Sequence, residues 1–219
     1  MGIITNLIKG ALNILEEVIL DEVDSTKSPE ELFQKGYDDY FKVGNFAEAI
    51  KYFRLSAEQG YAKGQHSLGL MYAHGSGVEQ NYHEAEKWLK LSAKQGFAFS
   101  QDELAQMYMF GLGVEQNYYE AAKWAKLAAE QSVESAQYKL GVLYAQGWGV
   151  EQNYYEAAKW FRLCAEQGSA PGQCALGTMY LKGIGVEQND SEAKKWLELA
   201  ATQGYEDAIG ILNGTIIVE

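Results

Sequence analysis

Apolar residues recur along most of this chain at helical spacing, and the helical pattern itself recurs. Between Ala62 and His74, Leu68, Met71 and Tyr72 fall on one side of a predicted helix. Gly75-Ser76-Gly77 ends it, since glycine accepts the backbone angles of a helix C-cap and a tight turn. Val78 closes the loop as an apolar plug, and a second helical pattern carries Ala85, Trp88, Leu91 and Ala93 to a stop at Gly96. Asn81 and Glu84 form an Asn-x-x-Glu sequence, a relative of the capping box, which predicts reciprocal capping of this second helix.

The whole unit returns at a fixed interval. Val-Glu-Gln-Asn starts at Val78, Val114, Val150 and Val186, each 36 residues after the last. Trp88, Trp124, Trp160 and Trp196 keep that step, as do Tyr72, Tyr108, Tyr144 and Tyr180. Such a period means stacked supersecondary units with no single globular core. Alanine at 85, 121, 157 and 193, one turn before the tryptophan, predicts helices packed closely around small residues. The glycine pair returns at Gly111/Gly113, Gly147/Gly149 and Gly183/Gly185; the helix-ending glycine returns at Gly168 and Gly204, with Ser132 as the exception.

Both ends depart from the pattern. Residues 30–60 hold a shorter unit, with Tyr40, Gly44, Ala49 and Tyr52, that reads as an ordinary tetratricopeptide repeat with Tyr52 in the tryptophan column. Residues 205–219 begin another first helix and then dissolve into Asn-Gly and Thr215-Ile216-Ile217-Val218. The organisation is therefore a leading segment at 1–29, the short repeat, four full repeats at 61–204, and a capping half-repeat with a tail.

In the leading segment, Ile3, Ile4, Leu7, Ile8, Ala11, Leu12, Ile14, Leu15 and Val18 share one broad side of a predicted amphipathic helix. An acidic linker with one proline follows. The pattern lacks the early positive charge and small-residue cleavage site of a secretory signal, so the expected location is cytoplasmic. The helix has three possible uses: covering the end of the array, self-association or docking onto a partner. Covering the end comes first, because an open solenoid end exposes apolar surface.

Charge narrows the partners. Thirty acidic against eighteen basic residues give a net charge of −12, which counts against nucleic acid and anionic membranes. A basic partner fits better; equally, the acid excess serves solubility alone. No apolar run reaches the length of a membrane span.

Leu68-Gly69-x-x-Tyr72, then Gly-x-Gly-Val, Ala-x-x-Trp, a small-residue pair and a closing glycine resemble the Sel1-like repeat, a relative of the tetratricopeptide repeat. The resemblance covers about residues 61–204, and nearly every signature position is filled in all four copies; Ala105 and Ser132 are the departures. It implies an all-α fold, a right-handed α-solenoid of stacked antiparallel helix pairs.

Candidate chemistry is sparse. The glycine pairs follow a helix and lack a Gly-Lys-Ser/Thr ending, so they read as repeated turns and not as a phosphate loop. His66 and His74 share a helix face but sit about 12 Å apart along the axis, too far to hold one metal ion. Cys164 lies in a column of small residues with Ser92, Ala128 and Ala200, and neither it nor Cys174 has an evident base partner; two free thiols are expected. Four tryptophans fill one repeated column, the mark of core packing; Trp148, inside a glycine pair, stands apart. No catalytic residue, cofactor or metal site is predicted.

Columns that vary between copies are free to read a ligand. Three vary along the first helices: His66, Asp102, Tyr138, Cys174; then Leu70, Gln106, Val142, Thr178; then His74, Phe110, Gln146, Lys182. Steps of four residues put them on one helix face. In related helical solenoids the first helices line the concave groove, and the resemblance places this strip there. The expectation is a non-enzymatic scaffold that captures a protein or peptide in that groove. Phe110 and Tyr138 would serve as apolar anchors and His66, Asp102 and Gln146 would give polar specificity, with Leu70, His74, Gln106 and Val142 completing the surface. Gln65, Gln101, Gln137 and Gln173 form an unvarying column beside it, a candidate ladder of amide contacts. Two alternatives follow from the resemblance: an immunity protein that neutralises a bacterial toxin, and a hydrolase acting on cell-wall material or an antibiotic.

Overall fold

Each repeat is a pair of antiparallel helices, and the residues that punctuate the pairs explain why. The computed structural model describes residues 27–216, which form eleven α-helices and one π-helical turn with no strand among them. Residues 1–26 of the leading segment, and the roles expected of its helix in end-covering, self-association and partner docking, lie outside the described residues. The described helices are all short, and none is long and apolar enough to cross a membrane.

The chain divides after Gln95 into two compact units. In the first, α1 (Pro29–Asp38) runs through a π-helical turn (Asp39–Val43) to Gly44, and α2 (Phe46–Glu58), α3 (Ala62–His74) and α4 (Tyr82–Lys94) follow. A full capping box starts α1: the Ser28 hydroxyl accepts from the Glu31 N–H at 3.2 Å and the Glu31 carboxylate accepts from the Ser28 N–H at 2.9 Å. Tyr52 is buried in the tryptophan column, with the Lys35 ammonium on its hydroxyl. Ala49, Phe53, Ala57, Leu68 and Met71 make the core of this unit.

The second unit holds α5 (Ala98–Phe110), α6 (Tyr118–Glu130), α7 (Glu134–Gln146), α8 (Tyr154–Glu166), α9 (Ala170–Lys182), α10 (Asp190–Thr202) and the short α11 (Glu206–Leu212). Odd-numbered helices from α3 to α9 are first helices and the even-numbered ones from α4 to α10 are second helices. Trp124, Trp160 and Trp196 are buried, as the repeated column predicts.

The invariant Val-Glu-Gln-Asn string works at the hand-over between the two helices of a pair. A helix leaves its last four carbonyls without intrahelical partners. The Asn81 N–H donates to the Tyr72 carbonyl at 2.8 Å, and the Gln80 amide donates to the Ala73 carbonyl at 2.8 Å. Gln116 and Gln152 repeat this on the Met109 and Ala145 carbonyls at 2.8 and 2.9 Å. The Asn81 side chain then accepts from the Glu84 N–H at 3.1 Å and caps α4. The reciprocal half expected of Glu84 does not form. Its carboxylate turns forward to the Lys87 ammonium at 3.2 Å, and Glu120, Glu156 and Glu192 do the same with Lys123, Lys159 and Lys195.

Glycine matters most where one repeat meets the one before it. Gly149 has φ +71°, and a Cβ there would collide with the Tyr118 carbonyl; Gly185 stands likewise against Tyr154. The first glycine of the pair, Gly147, is the left-handed C-cap that the turn reading expects, and the second lets one repeat approach the one before it. Within a repeat, a Cβ on Gly69, Gly141 or Gly177 would meet Leu89, Phe161 or Leu197 at 2.8, 2.6 and 2.8 Å. Ala105 takes that column in the exceptional repeat, and the residue in the facing column is the small Ala125, so the departure is compensated.

Candidate functional site

The three variable columns differ in depth. His66 and Tyr138 are half-buried while Asp102 and Cys174 are buried. Leu70, Gln106, Val142 and Thr178, one turn on, are all half-buried. His74, Phe110, Gln146 and Lys182, at the last turn, are all exposed. In each unit the strip thus rises from core to surface along its helices.

The invariant glutamines one residue before the first column are structural. Gln65, Gln101, Gln137 and Gln173 each accept a hydrogen bond from the amide at the end of their own second helix, Gln95, Gln131, Gln167 and Gln203, at 2.7, 2.8, 2.7 and 2.9 Å. Gln65, Gln137 and Gln173 donate in turn to the Ala57, Ala129 and Ala165 carbonyls of the preceding second helix at 3.2–3.3 Å. Each amide is a relay between helices, and burial requires such partners.

Asp102 meets its partners within the unit. The Lys139 ammonium donates to both carboxylate oxygens at 2.8 and 2.9 Å, and the Ser135 hydroxyl donates to one at 2.6 Å. The two charged side chains are only 11% and 14% exposed, so the pair ties α5 to α7 from within. Cys174 and Cys164 are free and buried, and burial pushes the Cys164 thiol up to about 12, which keeps it protonated and inert. Burial also lowers the His66 imidazole to about 4, so it is neutral at ordinary pH.

Past the ion pair, the second unit opens into a cavity of about 470 Å³ walled by Phe110, Tyr138, Val142 and Trp148, with Glu134 and Lys139 among its polar members. Phe110 is 61% exposed and Trp148 39% exposed, more than packing requires of rings this large. Tyr118 stacks on Trp148 with ring centroids 4.9 Å apart and planes 24° apart, which fixes the indole. Tyr138 leans on the core instead, 5.7 Å from the Phe161 ring. A second cavity of about 310 Å³, sharing Val142, continues past Gln146 to Thr178 and Lys182. The structure therefore brings Phe110, Tyr138, Val142 and Gln146 onto one surface, with Asp102 beneath it. In the first unit, Leu70 and His74 line a smaller hollow with Tyr40, Phe41 and Phe53. Gln106 and His66 line none of these cavities.

Sequence columns alone do not single out Lys139, Ser135 or Glu134. The signal was present in the column Ser67, Glu103, Lys139, Ala175, which also varies completely. Among the described residues, no group of three or more metal-ligating side chains is gathered.

Comparison with known proteins agrees with this architecture. A family model described as Sel1 repeat matches residues 31–61, 62–97, 98–133, 134–169 and 170–205, so it takes in the short first repeat as well. No curated protein matches the chain's sequence. A protective antigen of uropathogenic Escherichia coli with an SLR fold is 37% identical, with a TM-score of 0.80 over 88% of this chain and 42% of the antigen. This chain thus spans well under half of that relative. A Sel1 repeat protein from Oxalobacter formigenes is 31% identical, with a TM-score of 0.79 over 88% of this chain and 77% of that one. An immunity protein from Pseudomonas aeruginosa is 18% identical with a TM-score of 0.40, covering 74% of this chain and 75% of its own, a likeness too distant to carry a functional argument. Five consecutive matched repeats, helix pairs throughout and two similar solved structures place the chain in the Sel1 repeat family.

Proposed function

We propose that this protein is a non-enzymatic scaffold that docks a protein or peptide partner on the C-terminal ends of its first helices, at the Phe110–Trp148 cavity of the second unit. One observation carries the reading: Phe110, the last residue of α5, and Trp148, in the turn after α7, stand exposed beside Tyr138 and Val142, around a hollow large enough for a side chain. Aromatic side chains beside a pocket are where binding hot spots concentrate, and the stack on Tyr118 holds the Trp148 ring in place. Sel1 repeats mediate protein–protein interaction, which makes this face the one to examine first. Within the strip, Phe110, Val142 and Gln146 are the contact residues; Tyr138 supports them from below, and Asp102 holds the helices that carry them. His74 and Leu70 offer a lesser surface of the same kind in the first unit, and His66 and Gln106, both half-buried, stand outside these cavities.

The test is affinity capture from a lysate of the source cell with wild type and the Phe110→Ala/Trp148→Ala variant as bait. The reading expects one protein to be enriched by wild type and lost from the variant at unchanged helicity. Recovery of the same protein by both baits sinks the assignment of this face.

A further inference from the structure

We propose that the cavity walled by Phe110, Tyr138 and Trp148 takes an arginine side chain of the partner. This rests on the docking reading above and adds the chemistry of the residue that enters. The exposed rings at its mouth are Phe110 and Trp148, with Tyr138 beneath them; aromatic faces are electron-rich, and a guanidinium is the weakly hydrated planar cation that stacks on such faces.

Charge points the same way. The ammonium in the cavity wall, Lys139, is held at 2.8 and 2.9 Å by both oxygens of Asp102, so its charge is balanced within the protein. Glu134 supplies a further carboxylate at the exposed start of α7, where it lines the same cavity. Asp102, Lys139 and Glu134 together leave the site with one net negative charge. The surroundings deepen it, since residues 96–219 carry sixteen acidic against eight basic side chains. Six of those eight cations sit in ion pairs within the unit: Lys123, Lys126, Lys139, Lys159, Lys194 and Lys195. An acidic segment would meet repulsion here, and an apolar one would gain nothing from the Glu134 carboxylate that a cation can use.

The Trp148 indole is the reporter. In nitrogen-labelled full-length protein, its N–H signal among the five tryptophans is assigned by loss in Trp148→Phe. The probes are three capped tripeptides, acetyl-Gly-Arg-Gly-amide and its leucine and glutamate counterparts, each titrated to millimolar concentration. The arginine peptide is expected to move the Trp148 signal saturably, and Glu134→Gln to weaken it about threefold to fivefold, the loss of one exposed charge contact. An equal shift from the leucine peptide overturns the cationic assignment and leaves an apolar docking site standing. A shift from the glutamate peptide overturns it in favour of Lys139 as the recognising group. Silence from all three overturns it as well, while the capture experiment still judges the docking face on its own.

Discussion

In the second unit, the first and last turns of the varying strip change equally from repeat to repeat, yet they differ in kind. Asp102 is 8% exposed and locked against Lys139 and Ser135, whereas Phe110, two turns on along the same helix, is 61% exposed and looks into an open cavity. Variation in a repeat array has two sources, and the pair separates them. A position varies either because nothing constrains it, or because a neighbour, in its own repeat or the next, varies with it. Asp102 with Lys139 is the second kind, and so is Ala105 facing the Ala125 column. Phe110 and Gln146 are the first kind: both are exposed, and both line an open cavity.

The sharpest way to break that comparison is Asp102→Ala. Removing one member of a buried pair strands the other charge, so the account expects a loss of about 3 kcal/mol in denaturant unfolding. A change no larger than that of an exposed ion pair contradicts the buried reading. His66 tests the same column in the first unit through pH. Its folded value of about 4 lies below the ordinary 6.5, so the unfolded chain binds the proton first as the pH falls. Its contribution is intact above about pH 6.5 and is lost progressively toward pH 4, by roughly 2–3 kcal/mol. Comparing unfolding across that window with His66→Gln, which has no proton to take up, isolates this slope.

Gln137→Ala should cost about 1–2 kcal/mol, because it leaves the Ala129 carbonyl and the Gln167 amide without their bonds. Ser132→Gly should raise stability by about 0.5–1 kcal/mol, since Ser132 has φ +64° where the four sister repeats place Gly60, Gly96, Gly168 and Gly204. A lower melting temperature in that variant means that the serine side chain has a role its column does not show. Phe110→Ala should change stability by no more than about 0.5 kcal/mol. A large loss there means the ring is packing and the exposed end of the strip is no different from the buried one.

Much of the fold was legible because its rules repeat four times in one chain. The turn glycines, the asparagine caps and the tryptophan column read directly as structure, and the family model and the helix pairs agree with them. The depth of the strip was not legible. Spacing of four residues places His66, Leu70 and His74 on one helix face, but a helix that dips into its neighbours buries one end of that face and frees the other. The Asp102–Lys139 pair joins two columns across a repeat boundary, so it emerges only when residues 37 apart are placed together. The glutamate of Asn-x-x-Glu misleads for a local reason: a lysine three residues later competes for its carboxylate.

The most direct test places a photo-crosslinking phenylalanine analogue at position 110 in one protein and at position 155 in another. Tyr155 is 71% exposed on a second helix, as accessible as Phe110 but away from the cavity. The account predicts that position 110 captures one specific protein from cells and position 155 does not. Capture from position 155 alone, or from neither, contradicts the claim that the exposed ends of the first helices are where this protein meets its partner.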